Sequence, residues 1–216
     1  MDLGLTARLI LFYTYTRLLQ QKNIGVTELA KILETSKPNI SQIVNQLNES
    51  KYVEKRPYKP ISLTNSGLIK ADQIYQRVLL IESFLFKSLA MPFSQCRTEA
   101  FQWEQNTYTS TIHCMKDKIN LTVGLLGEII PNKIGQINSS NTLFTLNRIE
   151  PGTPCVISAF SNTHIDNSFL SELSKIYLES VIIAKQDSIT NSILIICNQN
   201  KFILPYELAK NIFVTV

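Results

Sequence analysis

Apolar side chains recur at three- and four-residue spacing through the first fifty positions. Leu5, Leu9, Phe12, Tyr13, Thr16 and Leu19 predict a helix over 5–21 with one apolar face, stopped by Asn23 and Gly25. Leu29, Ala30, Ile32 and Leu33 predict a short second helix, with Thr27 placed to cap it. The pattern breaks at Glu34-Thr35-Ser36-Lys37-Pro38 and resumes at Ile40, Ile43, Val44 and Leu47. This third helix ends near Ser50, and its first turn tolerates Pro38. Tyr52-Val53-Glu54-Lys55 and Ile61-Ser62-Leu63 then alternate like two short strands around Arg56-Pro57-Tyr58-Lys59-Pro60, which has the chemistry of a turn. Helix, helix, turn, helix, hairpin is the order of a winged helix-turn-helix.

Two longer helical patterns follow. One runs over 66–89 through Leu68, Ala71, Tyr75, Val78, Leu85 and Leu89 until Met91-Pro92 breaks it. The other runs over 94–119, and its bulk (Phe101, Trp103, Tyr108, Ile112) exceeds what a small DNA module needs for its own core. The surplus points to helices packed against a second copy of the chain. Residues 136–141 read as a polar linker. Beyond it, Cys155-Val156-Ile157, Val181-Ile182-Ile183-Ala184, Ser192-Ile193-Leu194-Ile195-Ile196 and Ile212-Phe213-Val214 are β-branched runs suggesting a small barrel, with one helix over 168–178. The expected fold is mainly α with a small β part. Its three domains are a DNA-binding module at 1–70, a helical dimerisation domain at 71–137 and a β-rich domain at 142–216.

Composition narrows the function. The 216 residues are 44% hydrophobic and 18% charged, which excludes a disordered or fibrous chain. The net charge of +4 is unevenly spread: positions 1–70 hold ten basic and five acidic side chains, and 71–216 hold eleven and twelve. A basic excess confined to one module suits a polyanion partner, because Lys and Arg displace counterions condensed on phosphates. Arg8 and Arg17 bracket the run Leu9-Ile10-Leu11-Phe12-Tyr13 too closely for a signal sequence or a membrane span, so no membrane partner is expected. Four widely spaced cysteines, Cys96, Cys114, Cys155 and Cys197, fit reduced thiols in a cytoplasm. No Gly-rich phosphate loop, G-x-S-x-G elbow or H-E-x-x-H is present, so no enzymatic activity is expected. His113 and Cys114 are adjacent in a helical pattern and would point a quarter turn or more apart, which argues against a thiol-imidazole pair.

In a winged helix-turn-helix the third helix enters the major groove. Its outward face here offers Ser36, Lys37, Pro38, Asn39, Ser41, Gln42, Asn45 and Gln46, with Thr27 at the head of the second helix. Asn39 and Gln42 can each pair with the donor and acceptor of an adenine edge, and the Pro38 ring is placed to touch a thymine methyl. Lys55, Arg56 and Lys59 on the wing are expected to hold phosphates of double-stranded DNA, fixing register without reading sequence. Against this stands a dimeric scaffold that has lost DNA binding, since polar helix faces are often merely solvated.

Three segments carry a family resemblance: Val26-Thr27-Glu28-Leu29-Ala30-Lys31-Ile32-Leu33, Ser36-Lys37-Pro38-Asn39-Ile40-Ser41-Gln42-Ile43-Val44 and Ile61-Ser62-Leu63-Thr64-Asn65-Ser66-Gly67. Together with Glu99-Ala100-Phe101-Gln102-Trp103-Glu104-Gln105 they resemble the diphtheria toxin repressor family of iron and manganese regulators. The resemblance implies a homodimer on a palindromic operator, a divalent transition metal (Mn or Fe) as cofactor, and a C-terminal SH3-like domain similar to ferrous-transport accessory proteins. Family metal sites match Leu9, Val78, Glu82, Arg97, Phe101, Glu104 and Gln105 here. The resemblance therefore leaves Glu82 and Glu104 as metal candidates, with every imidazole or sulfur ligand gone. Val and Phe cannot ligate, and Arg is a fixed cation. Arg97 is expected to replace the ion beside Glu82. The alternative is a metal-responsive repressor with a rebuilt ligand set from Cys96, Glu99, Glu104, His113 and Cys114, although the last two lie about four helical turns beyond Glu99. His164 and Asp166 are read as loop residues.

Overall fold

The computed structural model describes residues 3–56, 59–119, 121, 123–128, 130, 143–161 and 167–216. The wing tip Pro57-Tyr58, the polar stretch 136–141, His164 and Asp166 lie outside the described residues. The chain forms two compact units, one from the described parts of 1–78 and 101–107, the other from those of 79–100, 108–130 and 139–216.

In the first unit, α1 (Leu5–Leu19), α2 (Val26–Ile32) and α3 (Lys37–Glu49) precede the wing strands β1 (Val53–Glu54) and β2 (Ser62–Leu63), after which α4 (Asn65–Leu89) begins. The strands pair antiparallel, Val53 opposite Leu63, and Ile61 leaves the hairpin to bridge Ile24 just before α2. Ser36 caps α3, its Oγ accepting from the Asn39 amide at 3.3 Å, with Pro38 in the first turn where a missing N–H does no harm. Ile40, Val44 and Leu47 bury one face of that helix. Phe12 of α1 meets Tyr75 of α4 at 5.3 Å and Phe101 edge-on at 4.9 Å, an aromatic core of favourable geometry.

Two local readings change. The cap of α2 is Gly25, in extended conformation, and Thr27 sits inside the helix. The buried residues of α1 are Arg8, Ile10, Leu11, Phe12, Thr14, Tyr15 and Leu19, so Phe12 and Leu19 of the predicted face are buried while Leu5, Leu9, Tyr13 and Thr16 are half-buried. A charged residue among them disguised the face.

The predicted helix over 94–119 is two helices, α5 (Phe93–Asn106) and α6 (Thr109–Lys118). The break has a cause: the Arg77 guanidinium donates to the carbonyls of Glu104 at 3.2 Å and Thr107 at 2.5 Å, capturing acceptors that a continuing helix would use. Of the residues whose bulk suggested a second copy, Phe101 and Ile112 are buried, Trp103 is half-buried and Tyr108 is exposed.

The second unit holds a six-stranded antiparallel sheet in the order β3-β8-β4-β5-β6-β7. The strands are β3 (Phe144–Thr145), β4 (Pro154–Phe160), β5 (Ser180–Asp187), β6 (Ser192–Cys197), β7 (Asn200–Pro205) and β8 (Ile212–Thr215), with α7 (Asn167–Ile176) and the short α8 (Tyr206–Ala209) between them. Register shifts between Ile157 and Ala159 and between Ile183 and Lys185 mark irregularities in β4 and β5. Val181, Ile183, Ile193 and Ile195 alternate inward. Phe86 of α4 packs edge-on against Phe160 and Tyr177, and the Tyr177 hydroxyl bonds Ser83 Oγ at 3.0 Å.

Candidate functional site

The outward face of α3 is polar as the sequence suggested. Lys37, Pro38, Asn39, Gln42, Asn45 and Gln46 are exposed, as is Thr27 on α2, while Ser41 is half-buried and Ser36 is committed to its cap. Asn39 donates through Nδ2 to Thr35 Oγ1 at 3.1 Å, which steadies the first turn. Glu49, at the far end of the same face, is also exposed. An ion pair between Arg17 and Glu28 ties α1 to α2 beside it.

The wing cations are disposed differently from one another. Lys55 turns back to α3, where its ammonium donates to Asn45 Oδ1 at 2.9 Å and its amide to Asn48 Oδ1 at 3.2 Å. Arg56 is exposed and lies 3.4 Å from the Glu54 carboxylate, and the Lys59 amide donates to the Arg56 carbonyl at 3.2 Å in the turn. Lys55 is thus part of the helix face, whereas Arg56 and Lys59 belong to the wing.

Two buried carboxylates occupy the positions that resemble metal ligands. In the second unit both Glu82 oxygens accept from Arg97, Oε1 from Nε at 2.7 Å and Oε2 from Nη2 at 2.8 Å. The same Nη2 also bonds Glu128. Glu128 is delivered by a tight turn in which its Oε2 accepts from the Leu126 amide at 3.0 Å. Gly127 supplies the positive φ of 80° that this turn needs, and a side-chain carbon at Gly124 would come within 2.6 Å of that same Oε2. Burial pushes Glu82 up to about 7, against the pull of Arg97 and with the help of Glu128's like charge. Burial opposes the charge on Arg97, but Glu82 and Glu128 outweigh it and fix the guanidinium as a cation. Burial, reinforced by Glu82, pushes the neighbouring Cys96 thiol up to about 12, so it stays protonated and donates to the carbonyls of Pro92 and Met91.

In the first unit Glu104 is 2% exposed and Arg8 is its partner: Nε donates to Oε2 at 2.7 Å and Nη2 to Oε1 at 2.5 Å. Arg77 Nε stands 3.3 Å from the same carboxylate. Bidentate guanidinium–carboxylate pairs are the strongest ionic geometry proteins use.

These residues do not fit a divalent ion. Each buried carboxylate has both oxygens engaged by a guanidinium, and among the described residues no three His, Cys, Asp or Glu side chains converge as a metal site. Of the rebuilt set, Cys96 and Glu104 are buried, Glu99 is half-buried, and His113 and Cys114 are exposed. The sequence paired Glu82 with Arg97 and missed Arg8, Arg77 and Glu128. Arg8 carried a usable signal, since it falls four residues before Phe12 on an otherwise apolar stripe. Glu128 and Arg77 carried none.

No family model matches the sequence. An uncharacterized helix-turn-helix-type transcriptional regulator of Methanocaldococcus jannaschii is 27% identical over 111 residues, 51% of this chain and 82% of that protein. Solved structures with this architecture include IdeR of T. acidophilum, with a TM-score of 0.55 and 18% identity over 100% of this chain and 99% of that one. The manganese regulator SloR gives a TM-score of 0.57 and 18% identity over 96% and 97%. A manganese-dependent transcriptional repressor in complex with manganese gives 0.57 and 18% over 97% and 99%. The fold is that of the diphtheria toxin repressor family. In that family's terms the first three helices and the hairpin are the N-terminal winged module, and the six-stranded sheet is the SH3-like C-terminal part. Among the described residues no helix is long and apolar enough to cross a membrane.

Proposed function

We propose that the chain is a sequence-specific DNA-binding transcriptional regulator of the diphtheria toxin repressor type. It binds a palindromic operator as a homodimer, in a cytoplasm, with a dependence on metal that is weak or lost. One observation carries this: an exposed face of amide and hydroxyl side chains on α3, flanked by wing cations, on a fold shared with transcriptional regulators. Thr27, Ser36, Lys37, Pro38, Asn39, Ser41, Gln42, Gln46, Lys55, Arg56 and Lys59 form the contact surface, the first eight toward the groove and the last three on phosphates. The division into a DNA-binding module at 1–70, a dimerisation part at 71–137 and an SH3-like part at 142–216 belongs to the same reading.

The loss of metal dependence is supported by the ion pairs. Arg97 supplies the positive charge beside Glu82 that an ion supplies in a metal-dependent protein, and Arg8 does so at Glu104. A guanidinium is covalently part of the chain and cannot dissociate, so it braces its helices at every metal concentration. Manganese-dependent neighbours favour a divalent Mn cofactor, the family resemblance adds Fe, and the engaged carboxylates weigh against either.

Fluorescence anisotropy with random duplex tests the DNA reading: affinity that falls steeply with salt supports it, and no salt-dependent affinity contradicts it. Calorimetric titration of chelator-treated protein with Mn, Fe, Co and Zn tests the second part. Micromolar binding that disappears in Glu82→Gln or Glu104→Gln contradicts the loss of the metal sites.

A further inference from the structure

Two hydrogen bonds to one residue join the wing to the exposed face of α3. Asn45 and Asn48 are three residues apart, so they are neighbours on the helix surface. Both turn their carbonyl oxygens to Lys55, Asn48 to its amide and Asn45 to its ammonium. The backbone bond fixes where β1 ends relative to α3, and the side-chain bond holds the charge against the helix. Arg56, the next residue, has its guanidinium beside Glu54 on the wing itself. Adjacent cations therefore face different parts of a bound polyanion.

The consequence is chemical. With its oxygen facing the ammonium, the exposed Asn45 amide has the two N–H donors of Nδ2 left over, and the ammonium keeps two more. At Asn45 and Lys55 this edge of α3 offers donors and a positive charge; the Asn45 and Asn48 oxygens already face Lys55, and the exposed Glu49 carboxylate lies one turn beyond. In the major groove guanine presents two acceptors, N7 and O6. Adenine pairs one acceptor with an amino donor, cytosine presents an amino donor, and thymine pairs one acceptor with a methyl group. An adenine or cytosine amino group would bring its N–H toward the ammonium. Only guanine supplies two acceptors to the donors of this pair.

We infer that Asn45 and Lys55 form one composite reader for guanine, which makes both of them specificity-determining residues. This rests on the DNA-binding reading above and deepens it. It removes Lys55 from the set of phosphate contacts and adds Asn45 to the base-reading face, while Gln42, one turn earlier, reads a different position.

Selection of duplexes from a random pool by the full chain and by Asn45→Ala, Lys55→Ala and the double variant tests it, followed by anisotropy on the selected site and its single-base variants. The expected result is a guanine in the wild-type site whose preference both single variants lose at the same position. Each loss is about tenfold, within the range for one good base contact, and the double variant loses no more than the larger single loss. Replacing that guanine with 7-deazaguanine, which lacks N7, weakens the wild type and leaves Lys55→Ala unchanged. The inference is overturned if Lys55→Ala weakens every duplex equally, if the two variants lose different positions, or if the lost position is not guanine. Wild-type protein with no salt-dependent affinity for any duplex would overturn the DNA-binding reading and this one with it. Wild-type binding whose base preference survives both variants overturns this one alone.

Discussion

Glu104 is a buried carboxylate compensated, among the described residues, by Arg8 and Arg77, so its substitution should be severe. Removing one member of a buried pair strands the other, at about 3–5 kcal/mol. Glu104→Gln, which leaves Arg8 buried without a full counter-charge, is expected to lower unfolding stability by that amount in urea titrations. Arg56→Ala at an exposed pair should stay within about 0.5 kcal/mol. Glu82 adds a pH dependence. Its folded pKa, about 7, lies above the usual carboxylate value, so the folded state holds the proton more tightly than the unfolded one. The stability this contributes is complete below about pH 4.5 and is lost as pH rises through about 7. Stability curves between these limits should slope downward in the wild type, and the slope should shrink in Glu82→Gln. On the reading face, Gln42→Ala should relax base preference at one position by about 1–3 kcal/mol, whereas Lys59→Ala should weaken all duplexes alike and flatten the salt slope. Identical behaviour of the two on specific and scrambled duplexes would contradict the assignment of readout to α3. The Glu82–Arg97 pair was legible because the family resemblance matches both residues to metal-ligand positions. The Arg8–Glu104 pair joins residues 96 positions apart, beyond the reach of any local pattern.

Elements were legible where a short-range period fixed them and hidden where a distant group intervened. The helices α1 to α3 follow from apolar spacing, and the wing from its turn residues. The break between α5 and α6 is imposed by Arg77 from another helix, and no residue between 94 and 119 announces it. Strand β7 was missed for a different reason. It pairs with β6 along its whole length through a two-residue turn, Asn198-Gln199, with φ of 47° and 67°. Such a turn is usually marked by Asn-Gly, and here Gln takes the glycine place. The start of α4 yields a prediction at this scale: a side-chain carbon at Gly67 would stand 1.8 Å from the Tyr52 carbonyl oxygen at the base of the wing. Gly67→Ala must therefore displace either α4 or β1, and it should cost about 1–3 kcal/mol in thermal or urea unfolding. An unchanged stability would mean that the wing base is looser than this contact implies.

At the scale of the molecule, the fold carries an exposed polar face on α3 and two buried carboxylates, Glu82 and Glu104, that are engaged by arginines. The basic excess lies wholly in residues 1–70, which is where a phosphate backbone would sit. The same chain that resembles metal-dependent regulators over its length carries guanidinium groups on both carboxylates that would hold the ion. A regulator built this way should have a DNA affinity set by salt and sequence and indifferent to divalent ions. The most direct measurement is an anisotropy titration of the full chain on its selected duplex, run in chelator and again with added Mn at the same ionic strength. The account predicts superimposable curves that shift together with salt. Binding that appears only when Mn is added, and is abolished by Glu82→Gln or Glu104→Gln, would contradict it.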